Sequence, residues 1–360
     1  MTTTNAANDA PPLDTTALER WLDEHLPELG DGPVQLSKIS GGNTNLVIRL
    51  QRSGGPVVAR MPPLEGSPEG AKTIHREATV LQALNGTSVP HPVFRAYCPT
   101  PDVLGVPFYV MDLVDGWAAT LTEQNEIIFK PGFESGPDHH YLGYAMIDGL
   151  AEMALLDYKA VGLESYGKPE GFLERQPDRW MAQVESYATR YPKYDAERLI
   201  RQGLPRIADW LRDNVPAGNQ PGLMHADYAV SNVLFANRPP ARLVAIIDWE
   251  TSTIGDPLLD IAGFTRSFPS SRGPGRVGGA FRLPGFPTRE DALAYYAERT
   301  GRSLDTLPYY DVLYAFRTAC MIEYKVAESM QGLSSPAKGQ RFAALMDRAV
   351  QDALALIAAS

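Results

Sequence analysis

Apolar residues recur at helical spacing near the start of the chain, switch to alternation, and return to helical spacing for most of the second half. Leu18, Leu22 and Leu26, with Trp21, line one face of an amphipathic helix expected over 15–29, which Gly30-Asp31-Gly32-Pro33 ends. Residues 1–14 are small, polar and Pro-containing, and read as a disordered tail. Alternation over 34–39, 45–50 and 56–60 predicts three strands, with Gln51-Arg52-Ser53-Gly54-Gly55 as the turn between the last two. A Gly-rich turn, Ser40-Gly41-Gly42-Asn43-Thr44, joins the first two. Ile74, Ala78, Leu81 and Leu84 then predict a helix over 71–84. Residues 105–116 are an apolar strand running into a polar connector, and 117–140 lack a period and read as a loop or lid, its His139-His140 pair solvated and without a third metal ligand nearby. Helical spacing resumes over 141–156, 180–190, 194–213, 287–300 and 309–330, and the Gly-, Ser-, Pro- and Arg-rich stretch 266–286 is a long loop.

Composition narrows the function. The chain has 360 residues, enough for two lobes with a cleft between them. A formal net charge of −10 argues against a nucleic-acid surface. No apolar run reaches membrane-spanning length and no basic, apolar leader opens the sequence, so no membrane partner is expected. The two cysteines, Cys98 and Cys320, lack metal spacing and read as buried free thiols, which fits a reducing cytoplasm.

The chemistry concentrates in His225-Ala226-Asp227-Tyr228-Ala229-Val230-Ser231-Asn232 and in Ile247-Asp248-Trp249-Glu250, reached through a short run of strand character. Asp227 and Asn232 stand five positions apart, the spacing of the Asp and Asn in the protein-kinase catalytic loop, and Asp248 falls where kinases carry the Asp of D-F-G. Phosphoryl transfer needs a carboxylate for the hydroxyl proton, and an amide and a second carboxylate to hold Mg²⁺ on the nucleotide phosphates. This stretch supplies all three in that order: Asp227 as catalytic base, Asn232 and Asp248 as oxygen ligands of a hard cation. Arg60 ends the strand Val57-Val58-Ala59-Arg60, where kinases present a phosphate-binding Lys. Arg supplies the charge on a longer, planar head. Glu77, on the next helix, stands where the kinase scheme needs a carboxylate to hold that cation. The Gly41-Gly42-Asn43 turn is not a P-loop, since no Gly-Lys-Ser/Thr opens a helix; its place upstream of the other blocks makes it a candidate phosphate cover.

These blocks, together with Gly255-Asp256-Pro257-Leu258-Leu259-Asp260-Ile261-Ala262, resemble the aminoglycoside phosphotransferase and choline kinase superfamily. Val57-Val58-Ala59-Arg60-Met61-Pro62-Pro63 and Arg175-Gln176-Pro177-Asp178-Arg179-Trp180 look like the branch associated with acyl-CoA dehydrogenase fusions. The resemblance implies an α+β, protein-kinase-like bilobal fold: a small N-lobe of antiparallel sheet plus helix over 15–114, and a larger, mostly helical C-lobe over 115–360. It implies that Met111, Asp112 and Leu113 border the adenine at the hinge, that His225, Asp256 and Asp260 brace the catalytic loop, and that the helix carrying Arg317 and Glu323 lines the acceptor pocket. The chain departs from the family at Ala226, where Gly is usual, and at Ala154, where many relatives have His. The expected activity is transfer of a phosphoryl group from ATP, with GTP left open, and with Mg²⁺, to a small-molecule hydroxyl acceptor. The acceptor is a hydroxyacyl-CoA, an aminoglycoside or other antibiotic, or a choline- or homoserine-like metabolite. A non-catalytic nucleotide-binding module competes on the strength of Arg60 and Ala226. A protein kinase is disfavoured because no D-F-G to A-P-E segment follows Asp248.

Overall fold

The computed structural model describes residues 13–39, 45–122, 127–270 and 284–359. Helix α1 (Thr15–His25) starts at Asp14, whose side chain accepts from the Ala17 N–H at 3.1 Å. It ends four residues short of expectation because Pro27 disfavours helical backbone at Leu26, and Pro27–Leu29 forms a separate 3₁₀ turn. Five strands follow: β1 (Gln35–Lys38), β2 (Leu46–Arg52), β3 (Gly55–Met61), β4 (Phe94–Cys98) and β5 (Phe108–Asp112). They form one antiparallel sheet in the order β1-β2-β3-β5-β4. Between β3 and β4 lies α2 (Pro68–Leu84), capped by Ser67.

Strand alternation decides what each face meets. Val57, Ala59, Met61, Phe108 and Val110 pack with α1, where Trp21 meets Phe108 edge-on at 4.8 Å. Tyr109 belongs to the opposite face, in the cluster that contains Ile74, Ala78, Leu81 and Leu84 of α2. Arg60 pairs in register with Tyr109, so the same alternation turns Arg60 toward α2.

The rest of the chain is mostly helical. The stretch expected as a loop contains β6 (Gly116–Trp117), β7 (Thr120–Leu121) and β8 (Ile127–Ile128), and α3 (Gly136–Leu155) begins earlier than expected at a Ser135–Asp138 capping box. His139 is therefore helical and buried, its Nδ1 donating to the Pro284 carbonyl at 2.8 Å, rather than solvated in a loop. Helix α4 (Gln176–Arg190) follows. The single helix expected over 194–213 is two, α5 (Arg198–Arg201) and α6 (Leu204–Asp213), split by left-handed Gly203 at φ 100°. Four short strands carry the chemistry: β9 (Gly222–Met224), β10 (Val233–Ala236), β11 (Leu243–Ile246) and β12 (Thr253–Gly255). The remaining helices are α7 (Leu258–Thr265), α8 (Arg289–Thr300), α9 (Leu307–Ile322), α10 (Tyr324–Gln331) and α11 (Pro336–Ala358). The break between α9 and α10 falls at buried Glu323, which takes Arg198 at 2.6 Å and the Tyr194 hydroxyl at 3.0 Å. Helix α11 is not among those expected, although Ser335-Pro336 opens it and Met346, Ala349, Val350 and Ala353 form its buried stripe. Both cysteines are buried free thiols. Among the described residues no helix is long and apolar enough to cross a membrane.

Candidate active site

Two short ladders bring the motifs together. β9 leads into His225 and pairs with β12, which follows Glu250. β10 follows Asn232 and pairs with β11, which precedes Asp248. The Ile247 N–H donates to the Asn232 carbonyl at 2.9 Å, so the loops 225–232 and 247–252 run side by side. Asp227 is exposed, and the Asn232 amide donates to its carbonyl at 2.9 Å and to its carboxylate at 3.2 Å. Although the residue is exposed as a whole, the walls around its carboxyl exclude enough water to push its pKa up; Arg317 opposes that rise and Asp248 adds to it.

The first loop is held from behind. The buried Asp260 carboxylate accepts from the N–H groups of His225 at 2.7 Å and Ala226 at 3.0 Å. Burial raises its carboxyl to about 6, against the pull of those donors and of Arg317. The His225 Nε2–H donates to the Ile247 carbonyl at 2.9 Å, and its Nδ1 accepts from the Asp227 N–H at 3.3 Å. That arrangement needs the neutral ring, and burial lowers its pKa to about 4. Asp256 does not share this bracing. Its carboxylate accepts from the Leu258 N–H at 3.0 Å and the Tyr310 hydroxyl at 2.7 Å, because it precedes α7 and its free donors are nearer than the loop. Ala226 has φ 63° and Asp248 φ 67°, both in the left-handed region.

Arg60 lies at the centre of the second cluster. Its guanidinium meets Glu77 at 2.7 Å and Asp248 at 2.6 Å, with Glu250 at 3.8 Å. Glu77 is fully buried and also accepts from the Tyr109 hydroxyl at 2.6 Å. Burial pushes the Glu77 carboxyl up, while Arg60 and Tyr109 hold it down. Burial would lower the Arg60 pKa, and the charges of Glu77, Tyr109 and Asp248 keep it raised instead. Arg76, next to Glu77 on α2, donates to the carbonyls of Ser252 at 2.9 Å and Tyr166 at 3.2 Å. α2 thus carries one residue toward Arg60 and the next toward the loop after Asp248. Oxygens of Glu77, Asp248 and Glu250 lie within 4.8 Å of one another, an all-oxygen set of the kind a hard divalent cation takes. The residues present therefore fit Mg²⁺. Tyr109 and Glu250 were not among the expected site residues; the strand register beside Arg60 was the signal for Tyr109.

Met111 and Asp112 end β5 and Leu113 follows it, all half-buried, with Asp112 paired to Arg95 at 2.6 Å. Gly41, Gly42 and Asn43 lie outside the described residues. Beside Ala226 and Glu250 opens a cavity of about 860 Å³ walled by α4, α9 and the loops 165–172 and 250–253. Arg76, Lys168, Arg179, Arg190 and Arg317 line it with Glu250 as the one acid, and Trp180, Tyr166 and Tyr187 supply aromatic surface. Among the described residues none of these five cations forms an ion pair with a carboxylate. Arg317 was placed on a pocket-lining helix and Arg179 stood in the Arg175–Trp180 block, but no spacing in the sequence marks the cations as one group, because the five come from four separate segments.

The chain has a bilobal α+β fold in which Asp227, Asn232 and Asp248 sit at the ends of short ladders. The chain belongs to the phosphotransferase enzyme family, whose model matches residues 35–296. It is 29% identical to acyl-CoA dehydrogenase family member 11 of Gallus gallus over 358 residues, covering 96% of this chain and 43% of that protein. The chain thus spans less than half the length of the relatives it matches. A candidate aminoglycoside phosphotransferase from Ralstonia eutropha has a similar structure, with TM-score 0.76 and 28% identity over 96% of this chain and 99% of that one. Choline kinase from Cryptosporidium parvum shares the fold at TM-score 0.61 and 13% identity, covering 96% of each chain. So does an aminoglycoside phosphotransferase solved with AMP-PNP and hygromycin B, at TM-score 0.57 and 16% identity over 94% of this chain and 98% of that one. The protein-kinase-like fold expected from the motifs is the fold observed.

Proposed function

We propose that this phosphotransferase moves the γ-phosphoryl group of MgATP to a hydroxyl of an anionic small molecule, a hydroxyacyl-CoA. In this reading Asp227 accepts the hydroxyl proton and orients the attacking oxygen, a positioning role that a loose transition state rewards more than strong basicity. Asn232 and Asp248 would hold Mg²⁺, and a Glu250 carboxylate oxygen lies within 4.8 Å of one of Asp248. Held by these residues, Mg²⁺ would supply positive charge against the nucleotide phosphates. Arg60 would meet the α- and β-phosphates with Glu77 setting its angle, and His225 and Asp260 would keep Asp227 in place. Residues 41–43 and 111–113 are proposed to cover the phosphates and border the base. The bound AMP-PNP of one fold neighbour supports ATP as donor.

One observation carries the choice of acceptor: the cavity beside Ala226, the residue before Asp227, offers five cations against one carboxylate. A polyanionic CoA ester gains from that field, whereas a cationic aminoglycoside or choline is repelled by it. The similarity to acyl-CoA dehydrogenase family members points the same way. The test is ADP release from MgATP across a panel of hydroxyacyl-CoA esters, aminoglycosides and choline. Turnover is expected with the CoA esters, and preferential phosphorylation of an aminoglycoside or choline would sink the assignment.

A further inference from the structure

We propose that Arg317 is a positioning residue for phosphoryl transfer: it pins the peptide after Ala226 and so fixes the aim of Asp227. The inference rests on the reading of Asp227 as the group that meets the acceptor hydroxyl, and goes beyond it by assigning what holds that group in place.

The geometry around Ala226 supplies the argument. Its φ of 63° is a conformation that an L residue with a Cβ leaves unless both flanking peptides are held. The peptide before it is held by Asp260, which takes the His225 N–H at 2.7 Å and the Ala226 N–H at 3.0 Å. The peptide after it has two contacts. Its N–H, that of Asp227, reaches His225 Nδ1 at a long 3.3 Å, and its carbonyl accepts from Arg317 Nη2. Without Arg317 that peptide retains only the weaker bond and can rotate, which relieves Ala226 and swings Asp227.

The Arg317 charge also acts at a distance on the carboxyls of Asp227 and Asp260, but its hydrogen bond among the described residues goes to the Ala226 carbonyl. Arg317 is 7% exposed on α9, with its guanidinium 5.6 Å from the centre of the Trp180 ring. No carboxylate pairs with it among the described residues. Burying a guanidinium without a paired carboxylate costs desolvation, so fold stability alone does not explain it. Helix α9 lies against α7, which carries Asp260, so both peptides flanking Ala226 are held from one packed unit. Arg317 also lines the acceptor cavity, so the contact joins the acceptor wall to the catalytic loop.

The test uses Arg317→Met, which keeps the apolar stem and removes the donor, with Arg317→Ala as a second variant, each alone and combined with Ala226→Gly. Glycine enters the left-handed region freely, so it removes the need for the clamp. With a hydroxyacyl-CoA as acceptor, Arg317→Met is expected to lower kcat about tenfold or more while the KM for MgATP stays within about twofold. Adding Ala226→Gly should bring kcat back to within about threefold of wild type. A loss confined to the KM of the acceptor, or one that Ala226→Gly leaves untouched, overturns the proposal. Crystal structures of the same variants read the point without turnover. Position 226 should leave positive φ in Arg317→Met and return to it in the double variant. An Ala226 that stays left-handed in Arg317→Met overturns the proposal even if no acceptor has been found, which separates its failure from failure of the proposed reaction.

Discussion

Ala226 and Asp248, the two described non-glycine residues at positive φ, stand on either side of the proposed phosphoryl path. Asp tolerates the left-handed region because its short polar side chain bonds locally, whereas Ala there costs roughly 1–2 kcal/mol. The strain is retained because Asp260 and Arg317 fix the peptides around it. A carboxylate aimed by such a loop acts through its position, so isosteric loss of its charge is the informative change. Asp227→Asn is expected to leave MgATP affinity within several-fold and to lower kcat by at least about 10²-fold. Calorimetric titration with MgATP and steady-state turnover of the acceptor separate the two effects, and unchanged turnover would remove Asp227 from its role. Ala226 itself was legible as the place where the family motif departs from Gly. Its dihedral was not, since backbone conformation at one residue is decided by what holds its neighbours.

At the scale of elements, strand β3 and helix α2 meet through one ion pair. Arg60 and Glu77 are 17 residues apart, and only the sheet register and the helix packing bring them to 2.7 Å. Removing Arg60 leaves Glu77 buried without a cation, a change worth about 3–5 kcal/mol of stability. It also removes a charge-assisted contact to the triphosphate, worth on the order of 1.5–3 kcal/mol of binding. Glu77→Ala acts differently: Arg60 keeps Asp248 and Glu250 as partners and is drawn toward them. The MgATP affinity lost in the Arg60→Ala, Glu77→Ala double variant should therefore be smaller than the sum of the two single losses. Strictly additive losses in a titration with MgATP would show that α2 does not set the Arg60 geometry.

Over the whole molecule, a net charge of −10 conceals a local field of the opposite sign. The cavity proposed for the acceptor gathers Arg76 from α2, Lys168 from a loop, Arg179 and Arg190 from α4 and Arg317 from α9. Burial lowers the Arg179 pKa, and the neighbouring charges of Arg317 and Arg175 add to the effect. Reversing one charge in this array should act on the acceptor and spare the nucleotide. Arg179→Glu is expected to raise the KM of a CoA-ester acceptor by about tenfold at low ionic strength, and by less as salt screens the cavity. A salt-independent effect, or an equal rise in the KM for MgATP, would show that Arg179 does not belong to an electrostatic acceptor site.

The proposed catalytic blocks were readable because phosphoryl transfer requires particular groups close together, and Asp227, Asn232 and Asp248 keep their order over a short stretch of chain. The alternation of β1 to β3, the apolar run of β5 and the stripes of α1 and α2 were likewise local and legible, whereas β4 (Phe94–Cys98), which completes the sheet beside β5, was not expected. Other features depended on contacts between distant segments. Pro27 and Gly203 shortened or split helices whose apolar stripes continued past them. His139 looked like part of a polar loop until α3 buried it between Phe129 and Phe286. Asp256 and Asp260 sit in one motif, yet only Asp260 faces the catalytic loop, because the first turn of α7 directs the two carboxylates to different donors. The cationic cavity and the reach of Arg317 to Ala226 have no linear trace, since charge accumulates there from segments that only packing brings together.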